Sequence, residues 1–153
     1  MIIYAENHHS SHRLFEWAAA LMMIGIAATI AYDPRSLALG GFSYMARIGL
    51  TAPVLWILFL TGGLVRVATL YANGWWPVYG PRARAACALG GAIIWAQMLV
   101  ALVDWSLAHG YLTIGVSVYF FLALGEILSC YRAASDIAVP HQEVANGRTE
   151  QRH

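Results

Sequence analysis

Apolar residues fall into four long runs, Leu14 to Tyr32, Leu50 to Tyr71, Ala83 to Leu107 and Tyr111 to Arg132, parted by short polar or turn-forming segments. Crossing about 30 Å of hydrocarbon takes about 20 helical residues at about 1.5 Å each, so every run is long enough to span a bilayer as a helix. The first run also exceeds the roughly 7–15 residues of a secretory h-region, and it reads as a span rather than a cleaved leader. Asp33 and Pro34 close it. The segment that follows, with its Gly40-Gly41 break, predicts an exposed loop carrying a short interfacial helix around Phe42 to Arg47. Pro53 stands where a helix's first turn tolerates proline. Gly74, Pro77, Gly80 and Pro81, interleaved with Trp75, Trp76 and Tyr79, predict a reversal with aromatic anchors at the membrane surface. The His109-Gly110 turn is so short that the spans on either side of it should be antiparallel neighbours. Residues 1–13 and 135–153 are polar enough to be a flexible N-terminal tail and a polar C-terminal tail, the latter interrupted by Pro140 and Gly147. The expected fold is all-α: a polytopic membrane protein with four transmembrane helices in an antiparallel bundle over residues 14–134.

Composition strengthens that picture. The chain is 59% hydrophobic and 11% charged, against roughly 25% charged in a soluble domain. A net charge of +1 gives no basic field for nucleic acid, so the expected partners are the lipid bilayer and, within it, a further copy of the chain or another membrane protein. The distribution of charge says more than its sum. Arg13, Arg82, Arg84, Arg132, Arg148 and Arg152 fall on one side of the four spans and only Arg35 and Arg47 on the other, which places both termini in the cytoplasm. Cys87 and Cys130 lack the spacing of a zinc knot or a disulfide framework. His8, His9 and His12 lie in the N-terminal tail and His109 in a turn, so no span offers an axial pair for haem. No phosphate loop, nucleophile elbow or H-E-x-x-H occurs. We therefore expect no enzyme, no catalytic or metal-binding residue and no cofactor.

Candidate chemistry lies in the few polar residues within the spans: Glu16, Arg66, Gln97, Asp104 and Glu126. An ionisable group in hydrocarbon costs at least a few kcal/mol unless it is paired or wetted, so each should mark an inward face. Helical spacing aligns Glu16 with Ala19, Ala20, Met23 and Ala27, and Arg66 with Gly62, Gly63 and Leu70. Glu126 aligns with Tyr119, Leu122, Ala123, Ser129 and Cys130, and Gln97 with Gly90, Ile94, Ala101 and Asp104. Small residues let helices approach closely in lipid, and polar side chains bond between them. These four stripes are the expected bundle interior, with Arg66 bridging Glu126, Glu16 or both, Gln97 bonding across the bundle and Asp104 at the outer interface. An Arg partner would keep the acid ionised and occupied.

Two stretches, NGWWPVYGPRARAACALGGAIIWAQ from Asn73 and TIGVSVYFFLALGEILSCYRAASD from Thr113, resemble the small four-span membrane proteins of tailed phages and prophages. In these an N-G-x-W-P turn precedes the third span and a Y-R-A-A-x-D run closes the fourth. Asn73, Gly74, Trp76 and Pro77 match the first motif, and Tyr131, Arg132, Ala133, Ala134 and Asp136 the second; Arg13 to Trp17 adds an R-L-F-E-W entry. The resemblance implies a phage or prophage origin and residence in a bacterial inner membrane, but no activity. The functional expectation is a non-enzymatic protein acting through assembly or membrane-partner contacts. A holin-like permeabiliser is the alternative, and a small ion or drug transporter using Glu126 the second.

Overall fold

The computed structural model describes residues 6–38, 40–72, 76 and 79–150, with the side chains of 6–12 and 138–150 left undescribed. The turn read at Asn73, Gly74 and Pro77 lies outside the described residues, as do the side chains of His8, His9, His12, Arg148 and Arg152. The described chain is all-helical: α1 (Glu6–Tyr32), a single 3-10 turn (Pro34–Ala38), α2 (Gly41–Arg47), α3 (Ala52–Ala72), α4 (Gly80–His109) and α5 (Ile114–Glu150). Four stretches are long and apolar enough to cross a membrane: Arg13–Tyr32, Ala52–Ala72, Gly80–His109 and Ile114–Ile137. The chain is a multi-pass membrane protein. The backbone of α1 is already helical from Glu6, ahead of the span expected from Leu14, and α5 continues through Pro140 to Glu150.

Two glycines end helices in the same way. Gly110 adopts φ 76°, open to a residue without Cβ, and its N–H reaches the Leu107 carbonyl at 3.4 Å while Tyr111 N–H reaches Ser106 at 3.3 Å. At Gly49, φ 87°, the equivalent bonds run from Gly49 to Ala46 and from Leu50 to Met45. Both are Schellman endings, which satisfy carbonyls that a helix terminus would leave bare.

α1 packs chiefly on α3 and α4 chiefly on α5, while the seam between α3 and α4 is narrower. Close approach of α1 to α3 depends on missing side chains. A Cβ on Gly63 would lie 2.7 Å from Ile24 Cγ1 and 3.0 Å from the Ala20 carbonyl oxygen, and Ala19, Ala20 and Ala27 are wholly buried. Between the two pairs sits a core of Met23, Leu55, Phe59, Trp95, Met98 and Leu122. Lipid tails are as apolar as these side chains, so this core contributes packing and dispersion contacts in place of the hydrophobic drive of a soluble protein.

The segment after α1, expected as an exposed loop with a short helix around Phe42 to Arg47, carries that helix but is partly tucked in. Leu37, Gly41 and Met45 are buried, and a Cβ on Gly41 would come within 3.2 Å of the Leu102 backbone on α4. Phe42 meets Phe59 edge-on at 6.4 Å, so α2 closes one end of the core. Arg35 remains outside and pairs with Asp33 at 2.9 Å, its guanidinium and then its backbone N–H holding the Asp33 carboxyl below the usual range.

Candidate functional site: two buried ion pairs

The inward face of α3 is set by the turn-by-turn recurrence of Leu55, Phe59, Gly63, Arg66 and Leu70, all buried. Arg66 is thereby aimed into the bundle, and on α5 the buried row Leu122, Ala123, Glu126, Ser129 aims Glu126 towards it. The two meet as a fork. Arg66 Nη1 donates to Glu126 Oε1, and Nη2 donates to Oε2 at 2.5 Å. From α4, Trp95 donates its indole N–H to Oε1 at 3.3 Å. Exposure is 3% for Arg66 and 0% for both Trp95 and Glu126.

This arrangement has a physical precondition at Gly91. A Cβ there would stand 2.8 Å from Arg66 Nη1 and 2.8 Å from Glu126 Oε1, so the α4 backbone leaves the pair its room by having no side chain. The face of Trp95 packs against Tyr119 at 5.9 Å and Phe59 at 6.2 Å, which fixes the indole that holds the carboxylate. Bidentate, charge-assisted geometry is the strong form of such a contact. Both Glu126 oxygens accept bonds within the protein.

A second arginine does the corresponding work for α1. Arg84, in the first turns of α4, donates from Nη2 to Glu16 Oε1 at 2.7 Å and from Nε to Glu16 Oε2 at 3.1 Å. Its Nη1 donates to Asp136 Oδ2 on α5 at 3.3 Å. Arg84 and Glu16 side chains are 10% and 6% exposed, whereas Asp136 is 43% exposed. Arg66 thus ties α3 to α5 and Arg84 ties α4 to α1. Each pair of acid and base crosses between the two packed helix pairs.

The sequence-predicted residues separate into two groups. Arg66 and Glu126 are brought together; Glu16 is buried on its expected stripe with Ala19, Ala20, Met23 and Ala27, but Arg84 is its partner, not Arg66. Gln97 and Asp104 lie elsewhere. Both are exposed, as is Gly90, so the stripe expected to face inward on α4 mostly faces outward. The inward face of α4 is formed instead by Ala88, Gly91, Trp95, Met98 and Leu102. Gln97 bonds no described residue across the bundle. The polar group that α4 turns towards Glu126 is the Trp95 indole N–H, and Gln97 lies on the opposite side.

Arg84 and Trp95 escaped the sequence reading. Arg84 falls inside the run expected from Ala83 but counts there only towards the cytoplasmic arginine excess, and nothing in its spacing marks Glu16 on α1 as its partner; α4 opens at Gly80 with Pro81 in its first turn. For Trp95 the signal was weak, since nothing in its spacing distinguishes a hydrogen-bonding indole from an apolar filler. Asp136, four residues past Arg132, extends the polar network beyond the expected span end.

Between α3 and α4 a cleft of about 270 Å³ runs in past Gly62, Gly90, Gly91 and Cys87 to Arg66. Thr69, three residues along α3, donates to the Arg66 carbonyl at 2.8 Å. Among the described residues no group of His, Cys, Asp and Glu is placed to hold a metal ion. Chemically, the site is a clamp: two guanidinium forks with their acids engaged. No protein-family model, no curated protein and no solved structure matches the chain.

Proposed function

We propose that the protein is a phage-encoded, multi-pass protein of the bacterial inner membrane that acts without catalysis, through assembly with itself or contact with other membrane proteins. In this reading the spans form an antiparallel bundle with both termini in the cytoplasm. Arg13, Arg82 and Arg132 flank the cytoplasmic side, and Arg35 and Arg47 the other; Arg84 no longer counts towards that asymmetry because it is engaged inside the bundle. The phage origin rests on the sequence resemblance alone.

The observation that carries the assembly reading is the occupancy of Glu126. A transporter needs an intramembrane acid that can exchange its partner, and this carboxylate is buried under three hydrogen bonds. A charge-paired core of this kind suits a rigid body that presents outer faces. One observation favours the second reading, a small cation or drug transporter: the cleft that reaches Arg66. Controlled expression in bacteria without an endolysin, followed by a potential-sensitive dye, tests the proposal. Membrane potential and respiration should stay intact. An abrupt, timed collapse would replace assembly with holin-like permeabilisation, and cation flux lost on Glu126→Gln would replace it with transport.

A further inference from the structure

α4 turns one side to the core and leaves the opposite side bare. Gly90, Ile93, Gln97, Val100, Asp104 and Leu107 are all exposed. They recur at alternating intervals of three and four residues, the a and d spacing by which one helix seats against another. Gln97 stands near the middle of Gly80–His109, at a depth where no water satisfies its amide. Two exposed hydroxyls within the spans satisfy themselves: Thr29 donates to the Gly25 carbonyl at 3.0 Å and Thr61 to Ile57 at 2.6 Å. Gln97 makes no such bond with any described residue.

We infer that this face of α4 docks a second copy of the chain about a two-fold axis normal to the membrane, with Gln97 opposite Gln97. The inference rests on the assembly reading and names the partner and the surface. Copies inserted in one orientation meet in parallel, so like positions face each other across an isologous interface. An amide carries both donor and acceptor and is therefore complementary to itself, which a lipid tail is not. At Gly90 an added Cβ would meet nothing within 4 Å, so the backbones have room to approach beside the amides. Asp104 is about 10 Å along the helix from Gln97. That distance carries the two carboxylates towards the boundary, where headgroups and water solvate them, and confines the tight seam to Gly90 through Val100.

The test uses the full chain in lipid. In a background of Cys87→Ala and Cys130→Ser, single cysteines at Ile93 and Val100 should form disulfide-linked dimers under mild oxidation in membranes, and one at Leu124 on the outer face of α5 should not. By energy transfer in liposomes under lipid dilution, Gln97→Leu should weaken self-association about three- to tenfold while Gln97→Asn retains it, the size expected of one interhelical amide bond. Because Gln97 is exposed, the variant's unfolding midpoint, read at a dilution where the chain is monomeric, serves as the control for folding and should not move. Linking through Leu124 as fast as through Ile93, or unchanged association in Gln97→Leu, overturns this surface while leaving assembly through another face. A chain monomeric at every dilution overturns self-association, and collapse of membrane potential on expression separately overturns the assembly reading.

Discussion

Replacing Gly91 with alanine puts a methyl group where Arg66 Nη1 and Glu126 Oε1 each lie 2.8 Å from the new carbon and Glu126 Cδ lies 2.9 Å away. Neither group can swing aside cheaply, because each is held by the other and Oε1 is also held by Trp95. Forcing a methylene into a fitted interior costs about 1–3 kcal/mol. Distorting a charge-assisted bond forfeits part of a further ~1.5–3 kcal/mol. Alanine returns up to about 1 kcal/mol as the better helix former. The expected net loss is about 1–4 kcal/mol. Gly25→Ala isolates the helix-propensity part, since a Cβ at Gly25 meets nothing within 4 Å. Reversible unfolding of the purified protein in mixed micelles should show Gly91→Ala well below wild type and Gly25→Ala at or slightly above it. In a Glu126→Ala background two of the three crowding atoms are gone, so the cost of Gly91→Ala should shrink. Equal stability of the two glycine variants would refute the argument that α4 is hollowed at Gly91 to house the ion pair.

Arg84→Ala should cost about 1–2 kcal/mol in the same unfolding measurement, less than loss of Arg66, because the partly exposed Asp136 shows that this cluster lies nearer water. Arg84→Met combined with Glu16→Gln should recover part of that loss. A periplasm-active reporter fused after Leu107 should give signal and one fused after Arg152 none; the reverse pattern would contradict cytoplasmic termini.

How far the sequence disclosed this arrangement depended on whether a charge marked the inward face. In α1, α3 and α5 one charged residue sits among small ones, and the cost of a bare charge in lipid leaves it a single side to occupy. The rows through Glu16, Arg66 and Glu126 were therefore legible from spacing alone. In α4 the same logic failed. Gln97 and Asp104 carry a smaller or more easily relieved penalty, and they lie on the outer side, while the true inner row is built on Trp95 and on the emptiness of Gly91. Of the two bridges expected of Arg66 the one to Glu126 forms, whereas the pairing of Glu16 with Arg84 was out of reach, since it depends on how α1 and α4 are placed side by side. The packing of α2 over the core was hidden because its short sequence mixes Phe42, Tyr44 and Met45 with Ser43 and one charge, Arg47, a pattern that an interfacial helix shares.

The central claim is that Arg66 and Glu126 form a structural clamp between α3 and α5. A double-mutant cycle on unfolding free energy, with Arg66→Met, Glu126→Gln and both together, tests it most directly. Removing one partner of a buried pair strands the other and costs about 3–5 kcal/mol, whereas replacing both by uncharged residues is often close to neutral. The account predicts that each single variant is strongly destabilised and that the double variant regains more than half of the summed loss. Strict additivity of the two single losses, or wild-type stability in Glu126→Gln alone, would contradict it.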